Sequence, residues 1–486
     1  MATTEVGYII SSRDFLVHLD GLPSIRVNDI IESESGIRGV ISAIYADWVE
    51  ALILDDAEAA PGMMFKRSKN RLELSVGQFL LGRAINPLGV PIDGHGILAD
   101  SNLGEKVMEL DRLATGINSR QFIKDQFVTG ISLIDTLIPL GKGQRELVIG
   151  DAHSGKTSFL IDMIINQKNN DVVCVYALIG KPILQVRNLI DILNSNNAID
   201  HTVIIATSSS DPAPLIFLAP QTAFTVAEYF QKAGKDVLLI LDDMGNHAKI
   251  YREISLLGNK SPGRESYPGD IFYQHAHLVE RAGNFKPQYG GGSITALPVI
   301  ELNLNDFTSF IPTNLMSMTD GHLMFKASLH SQGQTPAIDI SLSVSRVGRQ
   351  TQNRIQNLLS QRIRQVLAQA EDLDTVSRFS SELPYETQLL LKQKSIVNEL
   401  IKQESLSFFS LNIQVMLMSL VFTTFLRDKS LDFLRKNKLN LVNAFESDPT
   451  LSQLTKQALN LKDDQQLIDG LEKLGPRLKQ VCNITA

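Results

Sequence analysis

The sequence predicts an α/β core flanked by an N-terminal antiparallel β-barrel and a C-terminal α-helical bundle, and three observations predict it. Short apolar runs broken by turn residues fill the first segment. Near-continuous apolar runs separated by helical stretches fill the middle. The last third is poor in glycine and carries Leu, Gln and Lys at helical spacing. At 486 residues the chain exceeds one ordinary core, so several domains are expected.

The barrel is expected over residues 1–68. Gly7–Ile10, Phe15–Leu19, Gly39–Ile44 and Trp48–Leu54 alternate with Gly, Asn and Asp at about ten-residue spacing, the rhythm of short antiparallel strands. The α/β core is expected over 69–350. Its runs Glu146–Ile149, Asp171–Ile179, Thr202–Ala206 and Asp236–Leu241 are apolar almost throughout, as strands of a parallel sheet covered on both faces must be. Residues 351–486 are expected to form the helical domain. Within it, Ser407–Leu426 is uncharged and long enough to cross a bilayer. Asn412, Gln414 and several hydroxyl residues fall inside that stretch, and Lys402, Glu404, Arg427 and Asp428 flank it. The segment therefore reads as a bundle helix apolar nearly all round.

Composition excludes several classes. Hydrophobic residues are 43% and charged residues 20%, which rules out global disorder. The net charge of −7 gives no electrostatic footprint for nucleic acid. Cys174 and Cys482 stand far apart and outside any CxxC or Cys/His cluster, against a disulfide framework or a cysteine-based zinc site and in favour of a reducing compartment. The start Met1-Ala-Thr-Thr-Glu-Val carries no targeting pattern, so synthesis in the cytosol is expected.

Chemistry is concentrated in Gly150-Asp151-Ala152-His153-Ser154-Gly155-Lys156-Thr157, a full GxxxxGK[ST] match followed by Ser158. A strand precedes it, and a helix with Phe159, Leu160, Met163 and Ile164 on one face follows. Glycines let backbone N–H groups curl round phosphate oxygens, and the helix N-terminus adds positive potential. Lys156 reaches the terminal phosphates, and the Thr157 hydroxyl is placed for Mg²⁺. This is a phosphate-binding loop, or P-loop, with a place for Mg²⁺. His153 is either a phosphate donor or an exposed loop histidine with no ligand role.

Asp242 ends the run Val237–Leu241, which puts it at the C-terminal edge of a parallel strand, where it can hold the Mg²⁺ shell through water. A cap on the next helix is the alternative. In Ile338–Arg346 apolar residues take the even positions, as in a strand, and Arg346 falls in the same parity. Its guanidinium must meet an anion there: a phosphate across a subunit boundary, an internal carboxylate, or solvent at a strand end.

Over nearly its whole length the sequence resembles the α-subunits of F-type (rotary) ATP synthases. The blocks that carry the resemblance include Gly130–Asp135, Ile138–Leu147, Pro262–Glu265, Tyr267–Asp270, Gly290–Pro298, Ile311–Asn314 and Ser343–Gly348, besides the P-loop. The resemblance implies a RecA-like core and a ring in which three such chains alternate with three catalytic β-type chains around a γ-type rotor shaft, held by stator subunits. It implies a peripheral place on the cytoplasmic face of a bacterial membrane, which is met only through the ion-translocating sector. It also implies that Arg346 is the arginine finger given in trans to the β-subunit's catalytic site. Catalytic members carry a water-polarising glutamate after the strand that follows the P-loop helix. Here Lys181 stands at that place, so binding without efficient hydrolysis is expected.

The chain departs from the α-subunit pattern at Ala152, His153 and Ser154, which replace Arg-Gln-Thr. Near the adenine, Thr335-Pro336 replaces Arg-Pro, and Gln403 and Ser405 stand where two glutamines face the base. Pro336 and Gln403 are carried over as nucleotide contacts. Barrel-like sequence from about Val6 leaves no counterpart of the family's δ-docking helix, which points to an alternative ion-translocating complex lacking δ. Two other readings stand beside this one. A homohexameric secretion-type ATPase is disfavoured by Lys181, and a Rho-like RNA translocase by the acidic balance and the lack of an aromatic, basic RNA-binding stretch.

Overall fold

The computed structural model describes residues 5–98, 106–302, 306–377 and 384–482. They pack as two compact units. The first runs from the barrel to Phe325, less Ile123–Gly141 and Thr157–Asn166; those two segments join Lys326 onward in the second.

The first unit opens with a closed six-stranded antiparallel barrel: β1 (Val6–Arg13), β2 (Leu16–Gly21), β3 (Asp29–Ser33), β4 (Arg38–Ile44), β5 (Val49–Ile53) and β6 (Met64–Arg71), in the spatial order β1-β2-β5-β4-β3-β6. Val17, Leu19, Ile31, Ile41 and Phe65 fill its interior. The apolar pattern marks β1, β2, β4 and β5 but hides β3 and β6, whose sequences are rich in charge. Those charges pair: Arg67 lies 2.7 Å from the buried Asp29, and β6 carries the barrel to Arg71, beyond the residue-68 boundary read from the sequence.

The central sheet of this unit contains seven parallel strands. They are β7 (Ala84–Ile85), β8 (Glu146–Asp151), β9 (Val172–Lys181), β10 (Thr202–Ser208), β11 (Asp236–Asp242), β12 (Ser293–Leu302) and β13 (Gly321–Phe325), in the order β13-β8-β12-β11-β9-β10-β7. The first eight residues of β9 are all buried, which requires cover on both faces and explains the unbroken apolar run. Helices α2 (Ile183–Ser195), α3 (Ala213–Lys232) and α4 (Met244–Leu257) pack against these strands; helix α1 (Lys156–Asn166) lies between β8 and β9 in sequence. The register sets Leu178 of β9 against Asp242 of β11, so the ends of these neighbouring strands share one edge.

The second unit is mainly helical, with α5 (Arg354–Ser377), α6 (Leu411–Ser419) and α7 (Leu431–Ser447) among its elements. The uncharged stretch does not make one long helix. It yields α6, a 3-10 turn at Leu420–Phe422 and a short helix Thr424–Arg427. Ile413–Ser419 are all buried, and α6 packs on α5 and α7, so its apolar circumference is bundle core. Among the described residues no helix is long and apolar enough to cross a membrane.

Candidate nucleotide site

The P-loop leaves β8 and enters α1 at Lys156. Gly150 has φ +158°, and a Cβ there would lie 2.2 Å from the Phe325 carbonyl oxygen, so the strand end admits only glycine. Gly155 (φ +88°) and His153 (φ +55°) take left-handed backbone, which turns the loop back on itself. Ala152, His153, Thr157 and Ser158 are exposed, whereas Ser154 is buried and donates to the Asp151 carbonyl at 2.7 Å. His153 is therefore open to solvent.

Lys156 is buried and folds onto its own loop, donating to the carbonyls of Gly150, at 2.9 Å, and Asp151. Glu301 of β12 lies 4.0 Å from its ammonium. Burial lowers its pKa, partly offset by the negative charges of Glu301, Asp242 and Asp243.

Lys181, at the end of β9, has its Nζ 2.9 Å from Asp242 Oδ1 and 3.9 Å from Asp243 Oδ2. Burial alone would lower this ammonium's pKa, but the two carboxylates outweigh it and hold the value above that of an ordinary lysine. Tyr176 donates to the other oxygen of Asp242 at 3.0 Å. Asp243 is the residue that caps α4, accepting from the N–H groups of Gly245 and Asn246, and burial raises its pKa against the pull of Lys181. The capping alternative considered for Asp242 thus belongs to its neighbour.

Asp242 was expected to hold a magnesium shell. In the structure that carboxylate meets the Lys181 ammonium and the Tyr176 phenol. Each Asp242 oxygen accepts one of these donors and keeps a second lone pair. Thr157 keeps an exposed hydroxyl at the start of α1. Tyr176, Asp243 and Glu301 were missed in the sequence. Tyr176 had a signal, since it shares strand parity with Leu178, the register partner of Asp242.

In the second unit, Gln403 donates its backbone N–H to the Thr335 carbonyl at 2.7 Å, which ties the loop after Ile401 to the residue preceding Pro336. The Gln403 carboxamide is engaged with the main chain: its oxygen accepts from Ser132 N–H at 2.8 Å and its amide donates to Gly130 and Ser407. Ser405 donates to Asp162 of α1 at 2.8 Å, and burial raises the Asp162 pKa despite that bond. Gln403 braces the loop in this conformation.

The expected strand Ile338–Arg346 is corrected by the structure. Asp339 accepts from the N–H groups of Ser341 and Leu342 at 3.0 and 3.1 Å, which rolls the chain into a turn, and only Val344–Ser345 is strand. Leu342 and Val344 are 41% and 42% exposed, so the apolar parity does not mark a buried face. Arg346 is exposed at the bend that follows. The bend is braced: Ser345 Oγ donates to the Pro139 carbonyl at 2.7 Å and accepts from Gly348 N–H at 3.2 Å. A cavity of about 840 Å³ lies beside it, lined in part by Ser343, Val344, Arg349, Arg364 and Glu371.

Residues 130–345 match the ATP synthase alpha/beta family, nucleotide-binding domain, and residues 352–474 match the C-terminal domain of the ATP synthase alpha/beta chain. ATP synthase subunit alpha of Mycoplasma pneumoniae is 38% identical over 93% of this chain and 87% of its own length. The subunit alpha of Mycoplasmoides gallisepticum is 42% identical over 82% of this chain and 77% of its own. The mitochondrial subunit alpha of Dictyostelium citrinum is 35% identical over 92% and 86%.

Proposed function

The chain belongs to the ATP synthase alpha/beta family, and from that premise we propose that it is the non-catalytic, nucleotide-binding α-type subunit of a rotary F-type ATP synthase. It binds ATP or ADP at Gly150–Ser158 and gives Arg346 to the catalytic site of an adjacent β-type subunit. Around a γ-type shaft and with stator subunits, the assembly couples ATP synthesis or hydrolysis to proton or sodium transport at the cytoplasmic face of a bacterial membrane.

One observation carries the non-catalytic half of this reading. Hydrolysis needs a group that accepts a hydrogen bond from the attacking water. At the strand end where catalytic relatives keep a glutamate, this chain has Lys181, a donor-only ammonium paired with Asp242 at 2.9 Å. The trans role of Arg346 is supported by its exposure on a bend held by Ser345, Gly348 and Pro139. In the site so read, Lys156 and the helix start hold phosphates, and the Thr157 hydroxyl, with Asp242 through water, holds the Mg²⁺ that accompanies them.

The test is ATP hydrolysis by the purified chain alone and by the chain assembled with its β-type partner. The reading expects turnover only in the assembly. Brisk turnover by the isolated chain overturns it in favour of a self-sufficient hexameric ATPase.

A further inference from the structure

The cavity of about 840 Å³ beside the Arg346 bend lies wholly within the second unit, and none of its lining residues belongs to the P-loop. Two arginines line it, Arg349 and, on α5, Arg364, both exposed. Among the described residues neither guanidinium has a carboxylate partner. Arg349 Nε donates to Asn357 Oδ1 at 2.9 Å, and Arg364 donates to the Leu137 carbonyl. The acids in the same wall are engaged elsewhere: Asp339 lies 2.6 Å from Lys326, and Glu371 accepts from Ser341 Oγ at 2.9 Å. Desolvation of the Arg364 guanidinium, then the like charge of Arg349, lowers the Arg364 pKa, and no carboxylate offsets either effect. Arginine stays charged regardless, so this wall attracts an oxyanion that both groups can bind.

The rest of the wall is apolar, with Pro139, Ile340 and Leu367 among its residues. Cavities of roughly 300–1,000 Å³ take a body far larger than one oxyanion, so the anion that fits here arrives attached to apolar surface. Ser343, Val344 and Ser345 wall the cavity and lead directly into Arg346. Whatever receives Arg346 therefore meets the cavity beside it. We propose that this cavity is the socket for a segment of the adjacent β-type subunit, which brings a carboxylate to Arg349 and Arg364 and an apolar side chain to Pro139, Ile340 and Leu367. This rests on the reading of Arg346 given above and adds to it the contact that seats the partner.

The experiment is sedimentation velocity of the full-length chain mixed with its β-type partner at stepped concentrations, in low and in high salt. The double variant Arg349→Gln, Arg364→Gln keeps an amide donor at each position and is expected to weaken association about tenfold in low salt. The wild type is expected to lose most of that advantage in high salt. Arg349→Glu, the second variant, places a like charge before the incoming carboxylate and is expected to weaken association at least as much. Both variants are expected to keep the wild-type affinity for ADP, measured by calorimetry on the isolated chain. Association within about twofold of the wild type in both variants overturns the proposal. So does a parallel loss of ADP affinity, since the arginines would then act through the fold. Pyrophosphate binding by the isolated wild-type chain that the double variant loses also overturns it, because the cavity is then a site for a free oxyanion. Failure of the wild-type chain to associate with the β-type subunit strikes the α-subunit reading itself, and the proposal with it.

Discussion

The Lys181 ammonium lies 2.9 Å from the Asp242 carboxylate, each at the C-terminal end of one of two neighbouring parallel strands. Replacing Lys181 by Met keeps the length of the side chain and leaves Asp242 and Asp243 facing each other without their cation. Removing one partner of a desolvated pair is expected to cost about 3 kcal/mol. Urea unfolding of the purified chain measures it; an unchanged midpoint would mean that solvent already screens the pair.

Arg346→Ala is expected to leave assembly and nucleotide binding intact while reducing turnover of the complex by roughly 10³- to 10⁵-fold, the usual worth of a trans arginine in phosphoryl transfer. Steady-state hydrolysis by the reconstituted complex reads this, and near-normal turnover would show that the finger is another residue.

Lys156→Ala should act at the chain's own site and weaken nucleotide binding there. Calorimetric titration giving unchanged affinity would remove Lys156 from the phosphate contacts.

Gly348 holds the bend that presents Arg346. A Cβ at that position would lie 1.5 Å from the Pro139 carbonyl oxygen, a backbone atom that cannot swing aside. Gly348→Ala is therefore expected to destabilise the chain by about 3 kcal/mol. It should also lower turnover of the complex by displacing Arg346. Wild-type stability together with wild-type turnover would refute this account of the bend.

His247 and His275 form a fully buried pair, Nδ1 of the first 3.2 Å from Nε2 of the second. The other nitrogen of His247 meets the Phe217 carbonyl oxygen at 3.2 Å, so its Nε2–H donates there and Nδ1 accepts from His275. Burial pushes the His247 pKa down to about 4, and burial together with its neighbour pushes His275 well below the ordinary value. A depressed histidine pKa means that the unfolded chain binds protons before the folded one. The stabilisation is full above pH 6.5, the ordinary histidine value, and is lost as pH falls toward 4. For His247 alone the loss is about 3 kcal/mol over that window. Urea midpoints from pH 7 to pH 4.5 are expected to fall more steeply in the wild type than in His247→Phe. Parallel curves would show that the pair does not drive acid unfolding.

The buried Asp135 shows how much a local pattern conceals. It accepts from Thr129, Gly130 and the Gln414 amide, the last 279 positions away, and burial raises its pKa to about 6 despite those bonds. Apolar neighbours from Ile131 to Leu140 surround Asp135 in sequence, but the Gln414 amide that completes its hydrogen bonds lies outside any local window. The Gly130–Asp135 block was legible only as a resemblance.

By itself the sequence determined what short-range physics dictates. The spacing Gly150 to Thr157 is a phosphate-binding loop wherever a strand precedes it and a helix follows. The unbroken apolar runs are parallel strands, and the uncharged Ser407–Leu426 is bundle core, though the structure breaks it into shorter helices, because periodicity and loop chemistry act over a few residues. The tertiary structure alone decided which distant charges meet. Lys181 neutralises Asp242, Arg67 meets Asp29 across two strands whose charges hid them, and Asp339 folds an apparently alternating strand into a turn that leaves Arg346 at the surface. The two ion pairs depend on strand order and register, which bring together groups tens of residues apart, so no local window of sequence contains both partners; the Asp339 turn is local, but its competition with a strand was settled only by the surrounding packing.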